Sequence, residues 1–181
     1  MSISYLSYRE SACFDHQLLE ASEISLDSLI DRAGTCIGSW ITDTIQPCRL
    51  IGLIGKGNNG QDVLSAFSKL PKSAYSLVLY PLDPFVCESD LYKDVSALPH
   101  VTQWQNFDML VPQDILIDGI FGVGLNRELS TENTMFISKV NDLPHRVVSI
   151  DVPSGMRETG SFTCVQADWT LCMMFPKKVI L

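Results

Sequence analysis

The feature that most constrains this chain is a set of short, unbroken apolar runs that end in glycine or aspartate. "RLIGLIG" (49–55), "DILIDG" (114–119) and "RVVSID" (146–151) share this form. "YSLVLY" (75–80) and "ADWTLCMMF" (167–175) add two further apolar runs, the last read as a strong strand. A strand with one wet face alternates apolar and polar residues. A run that is apolar at nearly every position needs cover on both faces. Between the runs lie "QDVLSAFSKL" (61–70), closed by Pro71, and "TENTMFISKVNDL" (131–143), both with helical spacing. A short helix around 89–97 and a short strand at 101–104 complete the series. Strands alternating with helices predict an α/β fold: a doubly wound, mostly parallel sheet with right-handed crossovers.

The first forty residues read as two helices. Ser7 and Glu10 have capping-box spacing. Leu26, Leu29, Ile30, Ala33, Ile37 and Ile41 repeat at helical spacing along one face, and "QPC" (46–48) ends that helix. The 181 residues suit one domain, read as a helical extension over 1–45 and an α/β core over 46–181.

Composition excludes several classes. At 46% apolar and 19% charged, the chain can bury a core and is not disordered. A formal charge of −8 argues against general affinity for nucleic acid or an anionic membrane. It leaves room for a nucleotide, which backbone amides can hold. No apolar run approaches the length of a membrane span. The six cysteines show no C-x-x-C pair and do not cluster with His16, His100 or His145, so a zinc site is not expected. "MSISYLSYRE" has no apolar segment of the secretory kind, and the reading is cytoplasmic with free thiols.

In an open α/β sheet, ligands sit beyond the carboxyl ends of the strands. Three such ends carry polar residues with glycines or a Pro-Ser turn: "GKGNNGQD", "IDGIFGVGLNRE" and "IDVPSG". The first fits G-x-G-x-x-G literally. No clear ribose-binding acid follows its second strand, since Asp83 comes late, so an NAD-dependent dehydrogenase is disfavoured. A Walker loop is excluded, because no Gly-Lys-Ser/Thr follows. A tight turn at Asn58-Asn59-Gly60, with Asp62 near the helix start, accounts for the same residues. Asp118 and Asp151, each at a strand end, could each simply cap the next element. Taken with Asn59 and Ser154 they make a set of hard oxygen donors, in which a monovalent ion fits as well as Mg²⁺. Lys177 and Lys178 could reach a ligand phosphate, though a solvated pair is the commoner meaning.

Four of these segments, "GNNGQD", "IDGIFGVGLNRELS", "VVSIDVPSGMRETG" and "ADWTLCMMFPKK", together resemble the NAD(P)HX epimerases, the YjeF N-terminal domain family, in order and spacing. "SLDSLIDRAG" is similar to the family's N-terminal helix, so the resemblance runs from about residue 8 to 178. It implies a three-layer α/β/α Rossmann-like domain, usually a homodimer, that interconverts the R and S forms of hydrated NADH and NADPH. A separate dehydratase then restores the cofactor. By resemblance, Asn58, Asn59, Gly60, Gln61 and Asp62 hold the nucleotide together with Gly122, Val123, Gly124, Leu125, Asn126, Arg127 and Glu128. Asp151 also contacts the ligand, and Asn59, Asp118 and Ser154 surround a potassium ion. We expect Asp151 to act as the acid/base, with Asp62 as second choice. The family commonly has Asn-Asn-Gly-Gly-Asp-Gly, whereas Gln61 and Val63 stand here in place of two of its glycines. If position 61 needs φ > 0, Gln61 is strained. Family chains also continue beyond "FPKK" through a further segment, often with a fused dehydratase domain. An absent last strand would leave a sheet edge exposed. Both departures make a catalytically inactive ligand-binding or dimerisation module the alternative to an epimerase.

Overall fold

A computed structural model describes residues 5–21, 24–104, 106–125, 127–159, 162–173, 175 and 177. Among the described residues six parallel strands form one sheet: β1 (Arg49–Ile54), β2 (Ser76–Pro81), β3 (Val101–Gln103), β4 (Ile115–Gly119), β5 (Arg146–Ile150) and β6 (Trp169–Leu171). Their order is β3-β2-β1-β4-β5-β6, so the winding reverses between β1 and β4. This is the doubly wound, parallel α/β arrangement expected from the apolar runs, and the Rossmann-like one that the family resemblance implies. The reversal opens a crevice at the carboxyl ends of β1 and β4, where ligands bind in such sheets.

Both faces of the sheet are covered. On one, Leu50, Leu77, Ile115 and Val148 pack against Ile37 and Ile41 of α2 (Leu26–Thr44) and Leu64 and Phe67 of α3 (Asn58–Lys69). On the other, Ile51, Val78, Leu116 and Val147 meet Ile137 and Val140 of α5 (Thr131–Asn141). Alternate residues of one strand thus enter different cores, which is why the runs are apolar throughout. The α2 face is buried at Ile37 and Ile41 and gives way to an exposed Leu26 at its start. Through that face α2 belongs to one of the covering layers.

The helix signals behave as their chemistry dictates. The Glu10 amide donates to Ser7 Oγ at 3.2 Å, and Glu10 Oε2 accepts from the Ser7 amide at 2.7 Å, closing the box before α1 (Tyr8–Ala21). Ser25, Ser89 and Ser130 cap α2, α4 (Asp90–Ser96) and α5. A 3₁₀ turn (Pro84–Glu88) precedes α4. The last strand is shorter than its apolar run implied: among the described residues, Trp169–Leu171 pairs with β5. At the amino ends of the strands, Arg49 grips Asp114 through two nitrogens, at 2.9 and 2.6 Å, and lies over the Trp104 ring. Among the described residues no helix is long and apolar enough to cross a membrane.

Candidate functional site

The first strand end corrects the sequence picture. α3 begins at Asn58, with Gly57 at its N-cap, so Asn58-Asn59-Gly60 is a helical first turn and not a loop. The cause is a close approach. A Cβ at Gly60 would lie 2.0 Å from the Gly55 carbonyl oxygen, so only glycine lets α3 start this near to the end of β1. Asn59 is thereby drawn inward and buried, while Asn58 is exposed and Gln61 and Asp62 are half-buried. Among the described residues only Asp151 and Gly155 have positive φ. Gln61 and Val63 are ordinary helical residues, and Val63 is fully buried in the core. The expected backbone strain at Gln61 is therefore absent.

The second and third strand ends are joined through Asp118, which is fully buried. In register with it on β5 lies Ser149, whose hydroxyl donates to Asp118 Oδ2 at 2.7 Å. Oδ2 also accepts from the Ser154 amide at 2.9 Å. Oδ1 accepts from the Ser154 hydroxyl at 2.5 Å and from the Ile120 amide at 3.3 Å. Ser154 Oγ in turn accepts from the Phe121 amide at 2.9 Å. Burial pushes the Asp118 carboxyl up, against the donors from Ser154, Ser149 and Ile120 that pull it down. One buried carboxylate thus ties together the turn after β4 and the turn after β5.

Asp151 follows β5 in the left-handed region, φ 66°, a conformation that costs a non-glycine residue roughly 1–2 kcal/mol. Its carboxylate is held on both sides. Oδ2 accepts from the Val123 amide at 3.0 Å, and Oδ1 lies 3.0 Å from Lys177 Nζ. Lys177 is neither solvated nor turned outward; it is 1% exposed. Gly122 sits between the elements. A Cβ there would lie 2.8 Å from Asp151 Oδ2 and 3.6 Å from Cβ and Cγ of Asn59. Asn59, Gly122, Val123 and Asp151 are therefore brought together at the reversal point.

The rest of the 122–128 segment spreads outward. Gly124, Arg127 and Glu128 are exposed, Leu125 is half-buried, and Glu128 lies 3.7 Å from Arg157. Asn126 and Lys178 lie outside the described residues. Two open clefts flank this segment. One of about 300 Å³ is bounded by Glu128, Leu129, Arg157 and Phe162; one of about 130 Å³ is bounded by Tyr8, Leu125, Arg157 and Glu158. Neither reaches Asn59 or Asp118, which are closed over. Burial raises the Tyr8 phenol, and the charges of Asp151 and Glu158 raise it further.

Asn59 is the residue that fits a cation. Its amide oxygen and nitrogen are both buried without a partner, which is costly unless something pairs with them. Asp118 can contribute charge, but each of its oxygens already accepts two hydrogen bonds. Among the described residues no group of three His, Cys, Asp or Glu gathers in metal-binding fashion. An amide oxygen left unpaired in this way is a hard donor of the kind that oxygen-seeking cations take. Sequence reasoning missed Ser149 and misread Lys177. Ser149 was signalled by a hydroxyl inside an otherwise apolar strand, and Lys177 by a lone cation following one.

The fold and this cluster define a Rossmann-like α/β domain with polar residues gathered at the switch point of the sheet. The family of YjeF-related protein N-terminus matches residues 26–179, and the chain belongs to that family. A bifunctional NAD(P)H-hydrate repair enzyme, Nnr, of Thermosynechococcus vestitus is 32% identical over 87% of this chain and 33% of its own length. An NAD(P)H-hydrate epimerase of Aspergillus fumigatus is 29% identical over 85% of this chain and 68% of its own. The chain thus spans about a third of the length of the bifunctional relative. The crystal structure of yeast ynu0, YNL200c, shares the fold, with a TM-score of 0.80 at 17% identity, covering 98% of this chain and 83% of that chain.

Proposed function

We propose that this chain is an isomerase, an NAD(P)H-hydrate epimerase that interconverts the R and S forms of hydrated NADH and NADPH. The observation that carries the proposal is the convergence of Asn59, Gly122 and Asp151 at the switch point, in a chain of this family. The substrate carbon bears a hydroxyl and the ring nitrogen, so it is a hemiaminal. Protonation of the hydroxyl releases water, with the nitrogen lone pair forming a planar iminium. Water then adds to the opposite face and gives up a proton. Both transfers need one group that can donate and accept.

Asp151 is that group. Each of its oxygens keeps a lone pair beyond the contacts to Val123 and Lys177. Asp62, half-buried on the first turns of α3, is the second candidate. Asn58 to Asp62 and Gly122 to Glu128 would bind the nucleotide. The positive end of the α3 dipole, at Asn58, would favour a phosphate there. Asn59 would hold potassium, with Asp118 and Ser154 behind it. The ion would supply positive charge that fixes the two turns relative to α3.

We further infer a cytoplasmic homodimer working beside an NAD(P)HX dehydratase. The family resemblance and the bifunctional naming of the relatives support this. The test is consumption of R-NADHX in the presence of excess S-specific dehydratase. Addition of the chain should convert the slow R phase into a fast one. An Asp151→Asn variant with undiminished turnover would reject the assignment of Asp151.

A further inference from the structure

Lys177 is buried as deeply as the core leucines, which a lysine tolerates only when its charge is paired and its protons are used. Both conditions are met. Its ammonium donates to the carbonyls of Met173 at 2.7 Å and Phe175 at 3.0 Å, and pairs with Asp151 Oδ1 at 3.0 Å. Three donors thus meet three acceptors. The backbone of Lys177 is pinned from the other end of the chain by a parallel bridge to Leu6. Phe14 of α1 packs edge-on against Phe175, with ring centroids 5.3 Å apart.

Asp151 is the residue in left-handed backbone geometry, and its second oxygen takes the Val123 amide of the 122–128 segment. Without Lys177 that carboxylate has one hydrogen-bond anchor and can turn about its side-chain torsions. With it, both oxygens are fixed. The other titratable groups around it, the Tyr8 phenol and the Cys172 thiol, both sense its charge and are raised chiefly by burial. Among the described residues, Lys177 is the cation that faces it.

We propose that Lys177 is a positioning residue of the site, its ammonium fixing the orientation of the Asp151 carboxylate while the Leu6 bridge and α1 hold Lys177 in place. Lys177 acts on the substrate through Asp151. The proposal rests on the epimerase reading for its kinetic part but not for its structural part.

The test uses the full chain with Lys177→Met, Lys177→Arg and Asp151→Ala. The Val123 amide resonance reports the hydrogen bond to Asp151 Oδ2. Lys177→Met should move it toward its position in Asp151→Ala. Turnover of R-NADHX should lose at least tenfold in kcat, with KM changing less than threefold. Lys177→Arg, which keeps the charge, should retain the wild-type resonance and at least a third of kcat; it also serves if the Met variant does not fold. An unmoved Val123 amide in Lys177→Met overturns the proposal, as does wild-type kcat in that variant. Equal losses in the Arg and Met variants do so too. If the wild-type chain has no turnover, the epimerase reading fails, and the Val123 comparison alone decides whether Lys177 positions Asp151.

Discussion

Substitution of Gly60 by alanine sets two effects of known sign against each other. In a helix, alanine is favoured over glycine by up to about 1 kcal/mol. Against this, the new Cβ would lie 2.0 Å from the Gly55 carbonyl oxygen and 2.9 Å from its carbon, both backbone atoms at the end of β1. Ordinary contact needs about 3.4 Å, so α3 must retreat from the sheet by roughly 1.4 Å. Overpacking of this kind costs about 1–3 kcal/mol, and an unyielding backbone neighbour places it at the upper end. The net expectation is a loss of about 2 kcal/mol, or roughly 5 °C in Tm for a chain of this size. The same retreat carries Asn59 out of the cluster. A misplacement of about 1 Å can cost a hundredfold in rate, so activity should fall further than stability. Urea denaturation followed by circular dichroism measures the first effect, with Gly124→Ala as control. A Cβ at Gly124 meets nothing within 4 Å, and its stability should stay within about 0.5 kcal/mol of wild type. A Gly60→Ala protein as stable as wild type would refute the close-approach argument for this turn.

Four further outcomes follow from other parts of the molecule. Arg49→Met removes the two-nitrogen grip on buried Asp114 at the opposite end of the sheet, and should cost about 2 kcal/mol in urea melts while leaving kcat unchanged. Burial raises the thiols of Cys48, Cys164 and Cys172, so less of each is thiolate near pH 8; a disulfide reagent should label exposed Cys13 and Cys36 first and these three slowly. Because those folded values lie above the unfolded ones, their contribution is complete below the ordinary thiol range and is lost as pH rises through the raised values. The urea midpoint should therefore fall on the alkaline side. Asn59→Leu removes the unpartnered amide; stimulation of turnover by potassium over sodium, if Asn59 holds the ion, should vanish in that variant.

Much of this architecture was legible in the sequence, because parallel strands covered on both faces leave a clear record. The runs at 49–55, 114–119 and 146–151 each became a central strand ending where glycine or aspartate stood. What was illegible depended on distance in space. "NNG" looks like a turn because asparagine and glycine favour turns, yet here they open α3, since only the Gly55–Gly60 approach decides where the helix starts. Gln61 looked like a strained intrusion only while the segment was taken for a loop. Asp118 was found as a strand-ending acid, but its partner Ser149 comes from cross-strand register, which one strand does not reveal. Lys177 lies 26 residues beyond Asp151 with no local signal for burial, so the sequence suggested water where the fold supplied a carboxylate.

The central claim is that this chain speeds the exchange of the two hydrate epimers by way of Asp151. The most direct measurement starts from purified S-NADPHX alone, without dehydratase, and follows the R and S forms by chromatography as they equilibrate. The account predicts that catalytic amounts of the chain shorten equilibration at least a hundredfold over the spontaneous rate, and that Asp151→Asn removes most of the gain. Equilibration at the spontaneous rate with folded wild-type chain and potassium present would contradict it.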